Sequence, residues 1–186
     1  MLTADVRDWV HGACQRDENV FGPAFFDQHL VVVAECAARL GGALGADLEV
    51  LELAAYLHDI SAVLDVNTML DHPRLSADCA TGLLLARGYP EDRVSMVARA
   101  IASHSDPLPM GSASPEAISI SNADAVARIL RPAYWMYFAF VVRKLSFEEG
   151  RQWLRRLLEK QWSALIEPAT ELVATEYAAT LDLLTK

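Results

Sequence analysis

The chain has 186 residues, 53% of them hydrophobic, with 9 Gly, 8 Pro and a formal net charge of −9. That length and composition suit one domain with a real core and exclude a disordered segment. The acidic balance disfavours binding to a nucleic-acid polymer, which needs a Lys/Arg surplus, but leaves small anionic substrates open.

Taken in chain order, the apolar periodicity is helical throughout, and no segment reads as a strand. A first helix is expected near residues 3–17, with Val6, Val10 and Ala13 on one face. The opening MLTADVRDWV carries acids and no apolar core, unlike a signal peptide. After Gly22-Pro23 a second helix runs from about Ala24 to Leu40 and is expected to stop at Gly41-Gly42. Asp47 caps a third, from Leu48 to about Ile60. Residues 61–71 read as a short helix or a loop. Pro73 suits the first turn of a fourth helix that reaches Arg87 and stops at Gly88. Pro90-Glu91-Asp92 opens a fifth, ending at Ser103 or His104.

The clearest loop is 105–115, SDPLPMGSASP, which follows His104 and would form a rim of any site there, with Leu108 and Met110 influencing substrate choice. A sixth helix spans Pro115 to about Leu130, and Pro132 starts a seventh. Ser146-Phe-Glu-Glu149 is a capping box for an eighth, and Pro168 opens a ninth. The apolar run from Ala133 to Val142 is too short to span a bilayer. The aromatic stretch Tyr134 to Phe138 reads first as packing for the C-terminal extension, with a base-binding pocket or a dimer interface as alternatives. The fold class expected is all-α: one domain over 1–186, with a core of about 24–130 and a helical extension of about 132–186. Cys14, Cys36 and Cys79 form no CxxC. Cys36 and Cys79 read as small core residues, and the protein is expected to be reduced and cytoplasmic.

Chemistry-bearing residues concentrate in the first two thirds. His29 lies in FFDQHLVVVAECA, and the pair His58-Asp59 closes the apolar stretch LELAAYLHDIS. His72 opens DHPRL, His104 ends AIASHS, and Asp124 sits in the small, apolar ISISNADAVARIL. Each alone could be a satisfied core-edge histidine, a helix-end cation or a solvated acid. Together they are costly unless partnered, because imidazoles and a carboxylate in apolar helices need donors or a cation. One metal site would satisfy them all. Four His and two Asp suit Fe, Mn, Co or Ni, with Mg also compatible, better than a thiolate-rich zinc site.

The order His29, His58-Asp59, Asp124 resembles the H…HD…D pattern of the HD superfamily of metal-dependent phosphohydrolases. The local phrases are similar too: Arg39-Leu-Gly-Gly after the His29 helix, the apolar run into His58-Asp59-Ile, Asn122-Ala-Asp124-Ala, and the stretch from Ala98 to His104. The resemblance covers about residues 24–130. It implies a helical core in which one ion takes His29, His58, Asp59 and Asp124. A second ion would share Asp59 and add His72 and His104, as in HD proteins that cleave diadenosine tetraphosphate or cyclic dinucleotides. Ser61 stands where the family usually has Gly, the link from Asp59 to His72 is short, and the cyclic-dinucleotide group's GYP signature is absent.

The implied activity is hydrolysis of a phosphoester or phosphoanhydride in a small molecule, a nucleotide above all, by a metal-activated water. Asp59 would fix the metals. Arg74 could meet a phosphate oxygen or be a solvated helix residue, Asp65, Asp71 or Asp106 could transfer a proton or serve as loop or cap residues, and Arg128 or Arg131 could approach phosphate or lie on the surface. The alternatives are a di-iron HD-type oxygenase and a non-enzymatic HD module that binds a nucleotide or a protein partner. No membrane and no nucleic-acid polymer is expected as partner; a homodimer remains open.

Overall fold

A computed structural model describes residues 2–185 and contains only helices, turns and loops among them. The helices are α1 (Leu2–Cys14), α2 (Val31–Leu44), α3 (Leu48–Leu57), α4 (Ile60–Leu64) and α5 (His72–Leu85). They continue as α6 (Glu91–Ala102), α7 (Pro115–Leu130), α8 (Pro132–Tyr137), α9 (Phe147–Ala164) and α10 (Glu167–Thr185). The all-α expectation holds. No helix among the described residues is long and apolar enough to cross a membrane.

α7 is the central element. Its sequence explains this: Ala117, Ser119, Ser121, Ala123, Ala125 and Ala127 are small and buried, so neighbouring helices approach closely. Helices α2, α3, α6, α9 and α10 all pack on it. Ile118, Ile120 and Ile129 fill the gaps, each worth about 1.5–3 kcal/mol of burial. Buried Glu116 at its start accepts from the Asp47 backbone N–H at 3.0 Å and ties α7 to the head of α3.

Several local expectations are met by identifiable bonds. The Asp47 carboxylate accepts from the N–H groups of Glu49 and Val50, both at 3.1 Å. The Ser146–Glu149 capping box is formed in both directions. The stretch 61–71 resolves into α4 and a 3₁₀ turn, Val66–Asp71, capped by Asp65.

Two expectations are corrected. α2 does not stop at Gly41-Gly42; it continues to Leu44 and ends at Gly45, which is left-handed at φ 73°. Gly41 instead permits close approach of α2 and α3, because a Cβ there would collide with Leu51. Cys79 is exposed rather than core, since the buried face of α5 is formed by Ser76, Ala77, Ala80 and Leu84.

The segment 132–185 does not stand apart from the rest. Asn122 in α7 accepts from the Ile166 N–H at 3.0 Å, pinning the α9–α10 junction. Its amide nitrogen also donates to the carbonyls of Leu108 (3.0 Å) and Ile118 (2.9 Å).

Candidate metal centre

One π-helical turn, three helix ends and a position within α7 bring six side chains together. His29 lies in a π-helical turn, Phe26–Leu30, that leads into α2. Such widened turns are frequent at functional sites. His58 follows the last residue of α3. Asp59 breaks the helix between α3 and α4 at φ −108°, ψ 9°. His72 opens α5, His104 follows the end of α6, and Asp124 projects from the middle of α7. Ser61, the departure from the usual Gly, has a structural use: its hydroxyl donates to the His72 carbonyl at 3.2 Å and meets the Ser76 hydroxyl at 3.0 Å. These bonds fix the start of α5, and with it His72.

The inward-facing atoms are crowded. His29 Nε2 and His58 Nε2 lie 3.2 Å apart, and His72 Nε2 and His104 Nε2 lie 3.1 Å apart. The outer nitrogens settle the tautomers of three rings. Nδ1 of His58, His72 and His104 sits 2.8, 2.8 and 2.6 Å from the carbonyls of Ala55, Met69 and Ile101, so Nδ1 carries the proton. Each Nε2 then presents a lone pair inward, the arrangement of a metal-binding histidine.

Asp59 stands between the two pairs. Its Oδ2 is 3.3 Å from His58 Nε2 and 3.7 Å from His29 Nε2. Its Oδ1 is 3.1 Å from His72 Nε2 and 3.5 Å from His104 Nε2. Asp124 Oδ1 is 3.2 Å from His29 Nε2 and 3.9 Å from His58 Nε2. Three overlapping triads have all ligand atoms within 4.8 Å: His29-His58-Asp59, His58-His104-Asp124 and Asp59-His72-His104.

The residues fit a cation. Asp124 is fully buried, yet neither of its oxygens accepts a hydrogen bond among the described residues. Arg128 Nη2 at 2.7 Å partners Oδ2, which leaves Oδ1, 3.2 Å from His29 Nε2, turned toward the cluster and open to a cation. Burial works against protonated His29, but the Asp124 and Asp59 carboxylates outweigh it and raise its pKa. His72 is raised in the same way, by Asp59 against its own burial. Burial would raise the Asp59 pKa, but His58 first, with His104 and His29, holds it well below the usual carboxylate range. Asp124 is also depressed against burial, by Arg128 and then His29. Thiolates take no part: burial pushes the Cys14 thiol up to about 12 and that of Cys36 up to about 11.

A cleft of about 280 Å³ opens onto the cluster, with Asp59 and His72 in its lining. Arg128, Trp135 and Phe138 line it from α7, α8 and the π-helical turn that follows; Trp153, Leu157, Lys160 and Gln161 line it from α9. Phe21, Met69, Ser105 and Asp106 complete it. A larger concavity of about 420 Å³, lined by Arg7, Glu35, Glu52 and Tyr56, contains none of the clustered histidines. The donor cluster, not volume, therefore decides which concavity is the candidate site.

Some expected residues fall elsewhere. Arg74 is not brought to the cleft; its guanidinium is held on the surface by Asp71 at 2.6 Å and Asp78 at 3.1 Å. Asp65 is spent as a cap and Asp71 on Arg74, whereas Asp106 does reach the cleft lining. The loop after His104 contributes Ser105 and Asp106 rather than Leu108 and Met110. Leu108 is tied down by Ser121 and Asn122, and Met110 is exposed. The aromatic stretch joins the cleft instead of serving only as packing. Trp153, Leu157 and Gln161 were not identified from sequence. Their spacing of i, i+4, i+8 was the available signal, with Gln161 the one polar member of the stripe.

The HD domain model matches residues 26–129, more than half of the chain, and all six clustered residues lie inside that span. The chain belongs to the HD-domain family. Over 100 residues this HD protein is 34% identical to Ribonuclease Y of Cutibacterium acnes; the match covers 54% of the chain but 17% of that protein. Among solved structures, Bacillus subtilis YpgQ, determined in complex with ADP, superposes with a TM-score of 0.67 at 19% identity, covering 98% of this chain and 94% of YpgQ. A predicted HD superfamily hydrolase from an uncultured Thermotogales bacterium gives 0.62 at 21% identity, covering 98% and 88%. At these identities the structural likeness establishes the fold. Family membership supports metal-dependent phosphohydrolase chemistry in general terms.

Proposed function

We propose that this HD protein hydrolyses a phosphoester or phosphoanhydride of a small molecule, a nucleotide above all, at a centre of one or two divalent metal ions. The observation that carries the reading is the convergence of four Nε2 atoms and two buried carboxylates, three of the imidazoles braced from behind by backbone carbonyls. An imidazole–carboxylate set without thiolate suits Mn, Fe, Co or Ni. A cation held there would act as a Lewis acid and lower the pKa of a bound water to near neutrality.

The chain's own residues do the rest. Asp59 offers one oxygen to His29 and His58 and the other to His72 and His104, which suits a bridging ligand. The carbonyl-braced imidazoles keep their lone pairs inward without having to reorient. Trp135, Phe138 and Trp153 give the cleft apolar, planar walls that suit a base and limit water access. The likeness in fold to YpgQ, a protein determined in complex with ADP, supports a nucleotide as ligand. The formal charge of −9 and the cleft's small volume weigh against an RNA chain, despite the partial match to Ribonuclease Y.

The test is metal analysis of freshly purified protein, then a phosphate-release panel of nucleotides and other phosphomonoesters with Mn, Co, Ni, Fe and Mg. Phosphate or nucleotide release that requires added metal is expected. Oxygen uptake by iron-loaded protein without phosphate release would favour an HD-type oxygenase instead.

A further inference from the structure

Arg128 lies one helical turn after Asp124 on α7, so the two side chains share a face. Its Nη2 is 2.7 Å from Asp124 Oδ2, while Asp124 Oδ1 is turned toward His29 Nε2 at 3.2 Å. The carboxylate is thus divided between the guanidinium and the histidines. The contact is an ion pair, and Arg128 makes no hydrogen bond to any other group among the described residues. A guanidinium has five N–H donors. None of its nitrogens is among the buried unpartnered atoms, so these donors stay reachable from the cleft although the side chain as a whole is only 13% exposed. The same group lines the cleft beside Asp59 and His72. The Trp135 ring lies 5.7 Å from its carbon and limits how it can turn. The other cation lining this cleft, Lys160, is 65% exposed and already sits 2.6 Å from Asp106.

We propose that Arg128 serves the metal centre and the substrate at once: it orients Asp124 through one edge and takes a phosphoryl oxygen through its free N–H groups. This rests on the phosphohydrolase reading above. A planar fork can make both contacts in fixed geometry, whereas an ammonium is a single point charge. The consequence is coupling. Phosphate bound by Arg128 braces Asp124, so anion and metal support each other's binding.

The test compares wild type, Arg128→Met and Arg128→Lys by calorimetry, with Mn²⁺ and then inorganic phosphate on Mn²⁺-saturated protein. Arg128→Met should weaken Mn²⁺ binding by about tenfold, the usual cost of losing a group that orients a ligand. Phosphate binding to the saturated variant should fall by at least about tenfold. Arg128→Lys, which keeps the charge and guards against misfolding, should recover most of the Mn²⁺ affinity but not the phosphate affinity. Phosphate affinity unchanged in both variants would overturn the substrate role. Unchanged Mn²⁺ affinity in Arg128→Met would overturn the positioning role. Arg128→Lys equal to wild type on both probes would overturn the forked geometry. Wild-type protein that takes up no Mn²⁺ at all would end the metal reading and this inference together.

Discussion

Asp59 is the residue on which the centre turns. Its two oxygens face different histidine pairs, so losing one carboxylate should empty both halves. Asp59→Asn is expected to lose bound metal and activity while keeping its helix content; full metal occupancy by mass spectrometry would refute the assignment. pH should act through His29 and His72. Their pKa values are raised by facing carboxylates, so protons compete with metal at a higher pH than for ordinary histidines. Metal affinity should therefore fall as pH drops through this raised range. The metal-free protein should show the opposite trend. Stability from protonated His29 and His72 is complete below about pH 6.5 and is lost as pH rises through their raised values. Denaturant titrations of apo and Mn²⁺-loaded protein from pH 5.5 to 8.5 would reveal both slopes. An apo protein that gains stability across that range contradicts the reading.

At the scale of elements, the helices are placed by small residues as much as by large ones. Gly41 lets α2 lie against α3, and α3 delivers His58 and Asp59. Gly41→Ala adds a methyl group where Leu51 already sits. It should cost about 1–3 kcal/mol, the range for overpacking a filled core. Urea unfolding monitored by circular dichroism measures this directly. Unchanged stability would mean that Leu51 moves aside freely. Sequence pattern located this glycine pair but misassigned its role. A Gly pair after an apolar run is a good stop signal, and only the neighbouring helix shows that Gly41 is needed for contact.

Across the whole molecule, Asn122 joins parts that are distant in sequence. One buried amide holds the loop at Leu108, its own helix at Ile118 and the α9–α10 junction at Ile166. Asn122→Ala would strand the Ile166 N–H and the Leu108 carbonyl. A loss of about 2–4 kcal/mol is expected, at roughly 1 kcal/mol per net hydrogen bond plus the stranded groups. The α9 wall of the cleft should loosen as well. The predicted signature is a lower Tm and a raised KM, with metal content preserved at low temperature. A variant as stable as wild type would show that α9 and α10 are held by apolar packing alone.

The sequence by itself determined the helical class, most helix starts and the set of clustered donors. These depend on local matters: apolar periodicity, capping residues, prolines, and polar side chains stranded in apolar helices. His29, His58, Asp59, His104 and Asp124 were legible because together they put polar groups in or at the ends of apolar helices, and His72 through its place in the HD-like order. The tertiary structure decided what no local pattern encodes. It placed Arg74 with exposed acids and Arg128 against Asp124, although neither arginine differs locally from a solvated helix residue. It brought Trp135, Trp153 and Gln161 into one cleft from elements separated in sequence. The physical reason is that donor identity is a property of a residue and its near neighbours, whereas the cleft is made by helix packing on α7, and crossing positions depend on contacts between segments far apart in the chain.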